Sequence, residues 1–446
     1  MQSLTSLRRF RMSAKMNVPK LRFCEFSGEW SFNTLDNLTD VLRCGIAATP
    51  EYVDEGIIFL SSQNVTSDGK LSLHKYSYIT KEHYEKISKN NKLLKGDILY
   101  SRVGAGYGNA TIFPHEGDYG VYVSLTHIRA NNFLSNSFLT FVLNAPIGKK
   151  QASNGVFQGG GVPNLNVKIV EKFKINFPSK PEQEKIASFL TSVDTKIGQL
   201  TKKKALLEQY KKGVMQKIFA QEIRFRPFLS LPSSSLGVDT QVCIPNEDIG
   251  NEKSEYPEWV EKKLGEVAKR KTTKNKECNT NVLTISAQLG LISQLEFFNK
   301  SVSAKDVTGY YLLEKGDFAY NKSYSNGYPM GAIKSLKRYD KGVVSTLYIC
   351  FSFDKYINLS FMEQYFETGI QNKEIEKVAQ EGARNHGLLN IGLEDFFSIK
   401  IHIPTLKEQT KIANFLLSLD SKLLHVEKQL NSTKQFKKAL LQQMFV

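Results

Sequence analysis

An internal repeat constrains the fold of this chain more than any other feature of its sequence. The segment PSKPEQEKIASFLTSVDTKI begins at Pro178 and PTLKEQTKIANFLLSLDSKL begins at Pro404, a shift of 226 residues. With this shift and no gaps, residues 178–219 match residues 404–445 at 17 of 42 positions, far more than unrelated segments share. The chain therefore consists of two similar halves.

The similarity continues upstream with slightly different offsets. KGDILYSR at 95–102 resembles KGDFAYNK at 315–322, VSLTHI at 123–128 resembles VSTLYI at 344–349, and the GEW ending at Trp30 resembles the PEW ending at Trp259. Each half is thus predicted to be a globular module followed by a long helix. Between the halves, RPFLSLPSSSLGVDT is rich in Pro, Ser and Gly and is typical of a linker.

These patterns predict six segments. They are an N-terminal extension at 1–16, a first module at 17–177, a central long helix at 178–221, a linker at 222–254, a second module at 255–403 and a C-terminal long helix at 404–446. The extension is basic and lacks acidic residues, and we expect it to be disordered or a wrongly assigned start. MNVPKLRF, from Met16, has the features of a natural beginning.

Each module is predicted to be a mixed α+β domain. Short runs rich in Val, Ile, Tyr and Phe, such as DILYSRV and VVSTLYICF, are separated by Gly, Asn and Asp, which is typical of strands joined by turns. Patches such as LSFMEQYFETGI are apolar at helical spacing. The KGD shared by both modules is predicted to be architectural, with Gly96 and Gly316 in tight turns and Asp97 and Asp317 as Asx-type caps.

The repeated helices are predicted to begin immediately after their prolines. Ser179 and Thr405 each precede a glutamate by three residues, Glu182 and Glu408, which is the capping-box arrangement. Apolar residues then recur at alternating steps of four and three, as in a coiled-coil seam. They are Ile186, Leu190, Val193, Ile197 and Leu200, and Ile412, Leu416, Leu419, Leu423, Val426 and Leu430.

Some 40 residues at about 1.5 Å each would make rods of roughly 60 Å. Antiparallel pairing of the two rods within one chain is the simplest prediction. It would place the modules at opposite ends about an approximate two-fold axis. The alternatives are that each helix packs on its own module or drives self-association. Four aromatic side chains are predicted to lie exposed outside the seam, namely Phe189, Tyr210, Phe415 and Phe436.

Composition indicates a polyanionic partner. Lys and Arg number 60 against 44 Asp and Glu, a net charge of +16, although such an imbalance can also serve solubility alone. No apolar stretch approaches the roughly 20 residues of a membrane span. Five scattered cysteines without a CxxC pair argue against a disulfide framework and a zinc site. We therefore expect a cytoplasmic protein without a membrane partner.

The sequence lacks the common motifs for nucleotide hydrolysis, adenine methylation and zinc-dependent hydrolysis. It contains no GxxxxGK[ST] phosphate loop, no NPPY or DPPY run, and no HExxH. The acid-x-Lys group of Glu182, Glu184 and Lys185 lies on a capped helix and is interpreted as solvated charge. These observations favour a binding protein over an enzyme, with no catalytic residue and no metal ligand predicted.

Several motifs of the chain together resemble those of a known family. VPKLRF, the GEW and PEWVEKKLGEV module openings, the KGD strand, PxxxEQxKIAxFL and the helix ends MQKIF and LQQMF resemble the specificity (S) subunits of type I restriction-modification enzymes. The resemblance covers residues 17–446 except about 226–252, an unusually long linker.

The resemblance implies two target recognition domains, each reading half of an asymmetric bipartite site in double-stranded DNA, with the helices fixing the spacing. It also implies two methyltransferase (M) subunits that bind S-adenosylmethionine and methylate adenine, and restriction (R) subunits that use ATP and Mg²⁺. The chain itself is then expected to hold no cofactor and to act in the cytoplasm of a prokaryote. The alternatives are a fragment of a fused restriction-methylation enzyme and a coiled-coil scaffold that binds only protein.

Base reading requires side chains with paired donors and acceptors, although such residues in a strand-turn-strand also pack or cap turns. The candidates in the first module are Gln63, Asn64, Arg102, Tyr107, Asn109 and Gln158. The candidates in the second are Gln288, Asn321, Lys322, Tyr324, Asn326, Tyr328, Arg384, Asn385 and His386. Recognition is expected where the halves differ, as in RVGAGYGN against KSYSNGYP.

Overall fold

A computed structural model describes most of the chain. The described residues are 17–45, 50–157, 161–225, 249–250, 256–300, 303–304, 306–379 and 389–446. The predicted N-terminal extension and most of the predicted linker lie outside them. The chain divides into two compact units, unit 1 (1–202 and 428–446) and unit 2 (203–427). Each unit includes one module and part of both repeated helices.

Unit 1 is a mixed α+β domain, as predicted. Its strands are β1 (Ser31–Thr34), β2 (Thr39–Cys44), β3 (Tyr52–Val53), β4 (Ile57–Leu60), β5 (Ser77–Ile79), β6 (Ile98–Ser101), β7 (Ala110–Ile112), β8 (Gly120–Val121), β9 (Leu125–Ala130), β10 (Val156–Phe157), β11 (Asn164–Leu165) and β12 (Lys174–Phe177). Its helices are α1 (Lys81–Ser88), α2 (Asn136–Asn144), α3 (Pro146–Gly155), α4 (Val167–Val170) and the first part of α5 (Lys180–Phe219). Two four-stranded sheets run in the orders β2-β9-β6-β7 and β3-β5-β4-β8.

Unit 2 repeats the first of these sheets. Its strands are β13 (Arg224–Phe225), β14 (Ile249–Gly250), β15 (Val260–Lys263), β16 (Ala268–Arg270), β17 (Leu283–Ser286), β18 (Gly290–Ser293), β19 (Tyr311–Glu314), β20 (Phe318–Asn321), β21 (Ala332–Ser335), β22 (Lys341–Val344), β23 (Ile349–Phe353) and β24 (Lys400–Ile403). Its helices are α6 (Leu264–Val267), α7 (Gln294–Phe298), α8 (Leu359–Glu367), α9 (Asn372–Val378), α10 (Leu393–Ser398) and the first part of α11 (Leu406–Gln443). The antiparallel order β16-β23-β20-β21 corresponds to β2-β9-β6-β7, and the pair β15-β24 corresponds to β1-β12.

The KGD strand lies at the centre of each module. In β6, Tyr100 faces the core built with α2 and the long helices, whereas its neighbour Leu99 faces the core beneath the second sheet. In β20, Tyr320 and Ala319 divide between two cores in the same way. Because successive side chains of a strand point to opposite faces, a strand buried on both faces reads as a continuous apolar run.

The two long helices begin close to where the sequence predicted, α5 at Lys180 and α11 at Leu406. The amide of Glu408 donates to Oγ1 of Thr405 at 3.4 Å, which is half of the predicted capping box. The role predicted for the two glutamates is wrong, because their carboxylates bind arginines instead. Glu182 is also only 1 % exposed, so its interpretation as solvated charge is wrong too.

The helices run antiparallel inside each unit. In unit 2, Lys204 pairs with Glu427 at 2.7 Å, and Lys211, seven residues later, pairs with Asp420, seven residues earlier, at 2.5 Å. In unit 1, Asp194 pairs with Lys437 at 2.6 Å. The 226-residue shift turns this last pair into Asp420 and Lys211. Most of the predicted seam is buried, namely Ile186, Leu190, Val193, Leu200, Ile412, Leu416, Leu419, Val426 and Leu430.

Each unit also contains a three-residue segment, LRF in unit 1 and IRF in unit 2, that lies outside the repeat found in the sequence. Its arginine binds the glutamate at the start of a long helix. Arg22, from LRF, bonds both carboxylate oxygens of Glu182 at 2.8 and 2.7 Å. Arg224, from IRF, bonds Glu408 in the same way at 3.0 and 2.7 Å. The amide of Leu21 donates to the carbonyl of Gln443 at the end of α11.

The phenylalanine that follows each arginine packs against a helix residue that was predicted to be exposed. Phe23 contacts Phe189, with ring centroids 5.7 Å apart, and Phe225 contacts Phe415 at 5.3 Å. The prediction that Phe189 and Phe415 are exposed is therefore wrong. The other two aromatic residues, Tyr210 and Phe436, are 45 % and 51 % exposed, as predicted.

The KGD turns match the architectural prediction for the glycines but not for the aspartates. Gly96 and Gly316 have φ of 91° and 96°, a region that favours glycine. A carboxylate oxygen of Asp97 accepts from the amide of Leu94 at 2.7 Å, and Asp317 accepts from Glu314 at the same distance. Each aspartate thus reaches back to the amide three residues before it. The predicted Asx-type cap is wrong, because such a cap bonds an amide that follows the aspartate in the chain.

In unit 1 Asp97 is also the centre of an ion-pair network. Asp97 accepts from His127 at 2.8 Å and from Arg129 at 2.8 and 2.7 Å. Burial alone would raise the pKa of Asp97, but the hydrogen bonds from Arg129 and His127 outweigh it and lower the pKa to about 2. The ionised carboxylate is thus the form that the folded module stabilises.

We predict that Asp97→Asn removes an acid-dependent part of the stability of unit 1. The depressed pKa contributes about 2 kcal/mol above about pH 4, and this contribution is lost as the pH falls towards 2. The free energy of unfolding, measured by denaturant titration between pH 2 and 7, should therefore fall less steeply with acid in the variant. Asp340→Asn, at a 95 % exposed side chain, is the control. Identical pH profiles for Asp97→Asn and the wild type would contradict the prediction.

Candidate nucleic-acid interface

Each module carries a hairpin whose loop contains many of the predicted base-reading residues. In unit 1 the loop 102–109 joins β6 to β7, and in unit 2 the loop 322–331 joins β20 to β21. In the strand registers Tyr100 lies opposite Ala110 and Tyr320 lies opposite Ile333, so Gly108 and Gly331 occupy equivalent positions.

Both glycines are needed for the shape of the loops. Gly108 has φ of 80° and Gly331 has φ of 76°. A Cβ on Gly331 would lie 2.2 Å from the carbonyl oxygen of Asn321, and one on Gly108 would lie 3.1 Å from Cβ of Ala152. The two loops therefore leave their sheet by the same backbone path although their sequences differ.

Arg102 braces the first module internally. Its Nε donates to the carbonyl of Leu165 at 2.9 Å, and its two terminal nitrogens donate to the carbonyl of Val123 and to Oδ1 of Asn164 at 2.8 and 3.0 Å. The side chain is half-buried. The guanidinium thus ties three segments together at the base of the loop, and most of its donors are already engaged.

Asn109 and Asn64 are both buried. Asn109 is 7 % exposed, and its side-chain oxygen accepts a hydrogen bond from the ammonium group of Lys149. Asn64 is 1 % exposed, accepts from the amide of Ser61 and donates to two carbonyls of the following loop. Both side chains hold turns and do not face outwards in this conformation.

Two candidates next to these asparagines are more accessible. Gln63 is exposed next to Asn64, and Tyr107 is half-buried in the loop. The amide of Ser62 donates to Oγ of Ser124, and the amide of Arg102 donates to the carbonyl of the same serine. Gln63 and the base of the hairpin are therefore linked through one residue.

In unit 2 the structure brings several candidates together. Tyr324 is 64 % exposed, Asn326 is exposed at the tip of a tight turn, and Nε2 of the exposed Gln288 donates to the carbonyl of Asn326 at 3.5 Å. Asn321 accepts from the amide of Ser323 and caps the start of the loop. Lys322 is half-buried. Gln158, Arg384, Asn385 and His386 lie outside the described residues.

Tyr328 is anchored rather than free. Its hydroxyl donates to a carboxylate oxygen of Glu367 at 2.6 Å and accepts from Nζ of Lys334 at 3.0 Å. The ammonium group also lies 4.5 Å from the centre of the tyrosine ring. Burial and the adjacent Glu367 carboxylate raise the pKa of Tyr328, so the hydroxyl keeps its proton.

Lys149 has the corresponding place in unit 1. Its Nζ donates to the carbonyl of Gly108 at 2.6 Å as well as to Asn109, and burial lowers its pKa to about 8. It lines a groove of about 970 Å³ that also includes Lys70, Lys434 and Lys438. This lysine, Lys334 and Glu367 were not predicted from the sequence, because each lies on a different element from the loop that it binds.

The part of the chain that the structure describes contains no group of three or more His, Cys, Asp or Glu side chains placed to hold a metal ion. Among the described helices, none combines the length and apolar character needed to cross a membrane.

Curated relatives of this chain include two proteins of Methanocaldococcus jannaschii. The putative type I restriction enzyme MjaX specificity subunit is 26 % identical over 246 residues, which is 53 % of this chain and 56 % of that protein. The type I restriction enzyme MjaVIII specificity subunit is 26 % identical over 306 residues, 64 % of each chain. The matched parts thus span less than two thirds of either relative.

A solved structure shares the fold. The S subunit of a type I restriction-modification system from M. genitalium superposes with a TM-score of 0.54 at 18 % identity, over 96 % of this chain and 99 % of that one.

The family model described as the type I restriction modification DNA specificity domain matches twice, at residues 28–209 and 256–433. Each match begins near Trp30 or Trp259 and extends into one of the two long helices. The repeat found in the sequence is therefore a repeat of this domain, and the chain belongs to the type I restriction-modification DNA specificity family.

Proposed function

We propose that this chain is the sequence-specificity subunit of a type I restriction-modification complex. Each unit reads one half of a bipartite, asymmetric site in double-stranded DNA. The observation that carries the proposal is that two units of one architecture present hairpin loops with different side chains, RVGAGYGN in unit 1 and KSYSNGYPMG in unit 2. A shared scaffold with different loops suits the recognition of two different half-sites.

Charge and side-chain chemistry support DNA as the ligand. The net charge of +16 favours a polyanion, and contacts to phosphates supply much of the affinity of DNA-binding proteins. The exposed Gln63, Gln288 and Asn326 each carry an amide that can pair with a base edge, with adenine as the preferred partner. We assign base reading to these side chains and to the exposed Tyr324.

The chemistry is assigned to partner subunits. We propose that two M subunits bind S-adenosylmethionine and methylate adenine, and that R subunits use ATP and Mg²⁺ for restriction. The sequence of this chain has neither a GxxxxGK[ST] loop nor an NPPY or DPPY run, which fits a subunit that selects the site without transforming it.

Methylome sequencing of the host with and without this gene tests the proposal. We expect one bipartite adenine-methylated motif that disappears with the gene. Methyl transfer by the purified chain alone would instead support a fused enzyme fragment. A purified chain that shows no salt-dependent DNA binding, together with an unchanged methylome, would support a protein-binding scaffold.

We predict that the specificity is modular. Replacing residues 31–177 with the matching module of a relative should change one half of the methylated motif and leave the other half intact. The replaced segment begins at β1 and ends at β12, so the new module is joined through a strand pair that both units possess. If both half-sites changed together, the two units would not read DNA independently.

We predict that the long helices set the spacer. Four residues inserted after both Leu200 and Leu430 should lengthen it by about two base pairs, since four residues add about 6 Å and base pairs are stacked about 3.4 Å apart. The matched insertion preserves the pairing of Asp194 with Lys437 and of Lys204 with Glu427. Insertion after Leu200 alone breaks this register and should impair assembly. An unchanged spacer in an active double-insertion variant would contradict the prediction.

A further inference from the structure

The hairpin loops are fastened to helices of their own units by different chemistry. In unit 2 an ion pair with a buried lysine holds the loop, and in unit 1 a half-buried lysine holds it. This difference bears on how each unit selects a sequence, and the inference that follows rests on the proposed function.

In unit 2 the fastening consists of Lys334, Tyr328 and Glu367, here called the tyrosine latch. Lys334 lies in β21 and is only 8 % exposed, and Glu367 is the last residue of α8. The two form an ion pair, and the tyrosine hydroxyl bonds both of them. Because a buried charge is costly unless it is paired, Lys334 favours the conformation in which Glu367 and Tyr328 lie beside it.

The tyrosine latch controls the tip of the loop. The amide of Tyr328 donates to the carbonyl of Ser325 at 2.8 Å, and this bond closes the turn that presents Asn326. Gly327, inside the turn, has φ of 84°. Holding Tyr328 therefore fixes the direction in which the exposed Asn326 leaves the module.

In unit 1 the fastening is Lys149 on α3, here called the lysine latch. Its ammonium group bonds the carbonyl of Gly108 and the side chain of Asn109, the last two residues of the loop. Among the described residues no carboxylate lies within ion-pair distance of Lys149. The position equivalent to Glu367 is occupied by Asn144, which accepts from the amide of Ala110 at 3.1 Å and donates to its carbonyl at 2.8 Å.

We propose that the two latches are positioning residues for sequence specificity, each fixing the base-reading loop of its own unit in one conformation. A loop held in the reading conformation makes its hydrogen bonds without first being ordered, and misplaced donors are not free to adapt to a wrong base. Loss of a latch therefore relaxes selection at one half-site. The other half-site is read by a different unit and keeps its specificity.

Two variants test the tyrosine latch in the complex assembled with its methyltransferase subunits. Glu367→Gln removes the ion-pair charge with little change of shape, and Tyr328→Phe removes the hydroxyl but keeps the ring. Methylome sequencing and selection from a library with randomised half-sites measure base preference at every position. We expect both variants to lower discrimination at one or more positions of a single half-site by at least about fivefold, within the range that one base contact contributes.

The lysine latch gives the reciprocal test. Lys149→Met removes the donor but keeps most of the side-chain length, and it should relax the other half-site. Lys149→Arg keeps a cationic donor and should largely restore specificity. The matched controls are Glu376→Gln and Lys150→Met, which make the same charge changes at exposed positions of α9 and α3 and should leave both half-sites unchanged.

Melting temperatures of all variants separate positioning from general loss of stability. The inference is overturned if the latch variants leave both half-sites unchanged, if both half-sites relax together, or if the controls relax them as much. It is also overturned if Tyr328→Phe acts without Glu367→Gln, since the tyrosine would then read DNA directly. A wild-type complex that methylates no bipartite motif would instead refute the proposed function, so the two failures are distinguishable.

Discussion

A buried glutamate at the start of each long helix is the constraint on which both units depend. Glu182 and Glu408 are 1 % and 0 % exposed, and a buried carboxylate without hydrogen-bond partners would destabilise the fold. Each accepts two bonds from an arginine, and Glu182 also accepts from the indole of Trp30 at 3.3 Å. Breaking such a buried pair by removing one partner typically costs about 3–5 kcal/mol. The start of the helix and the segment that carries the arginine are therefore fixed together.

The position of these arginines shows how the ends of the two long helices are connected within each unit. Arg224 lies five residues after the end of α5, and Arg22 lies beside Leu21, whose amide bonds the end of α11. In unit 2 the segment after the end of α5 thus pairs with the beginning of α11. In unit 1 the segment that contacts the end of α11 pairs with the beginning of α5. The repeat is therefore more extensive in the structure than in the sequence, because it includes the LRF and IRF segments.

Scaffold and recognition surface are separated within each module. The strands and the long helices bury their apolar residues in equivalent places, and equivalent glycines lie in each hairpin loop just before the return strand. The hairpin loops differ in sequence and in the groups that fasten them, an ammonium group in unit 1 and an ion pair with a phenol in unit 2. A fold of this kind can change what its loops present without rebuilding its core, because the core ends where the loop leaves the sheet.

The sequence by itself determined the repeat, the two long helices, the mixed α+β modules and the tight turns at Gly96 and Gly316. These features depend on local spacing and on residue type, which can be read along the chain. Tertiary structure alone decided which polar residues are available to a ligand. Asn64, Asn109 and Asn326 are all predicted from the sequence to read bases, yet the first two are buried by partners elsewhere in the fold and the third is exposed. Glu182, Lys149 and Glu367 acquire their roles from side chains 33 to 160 residues away, and no local pattern encodes a contact between such distant segments.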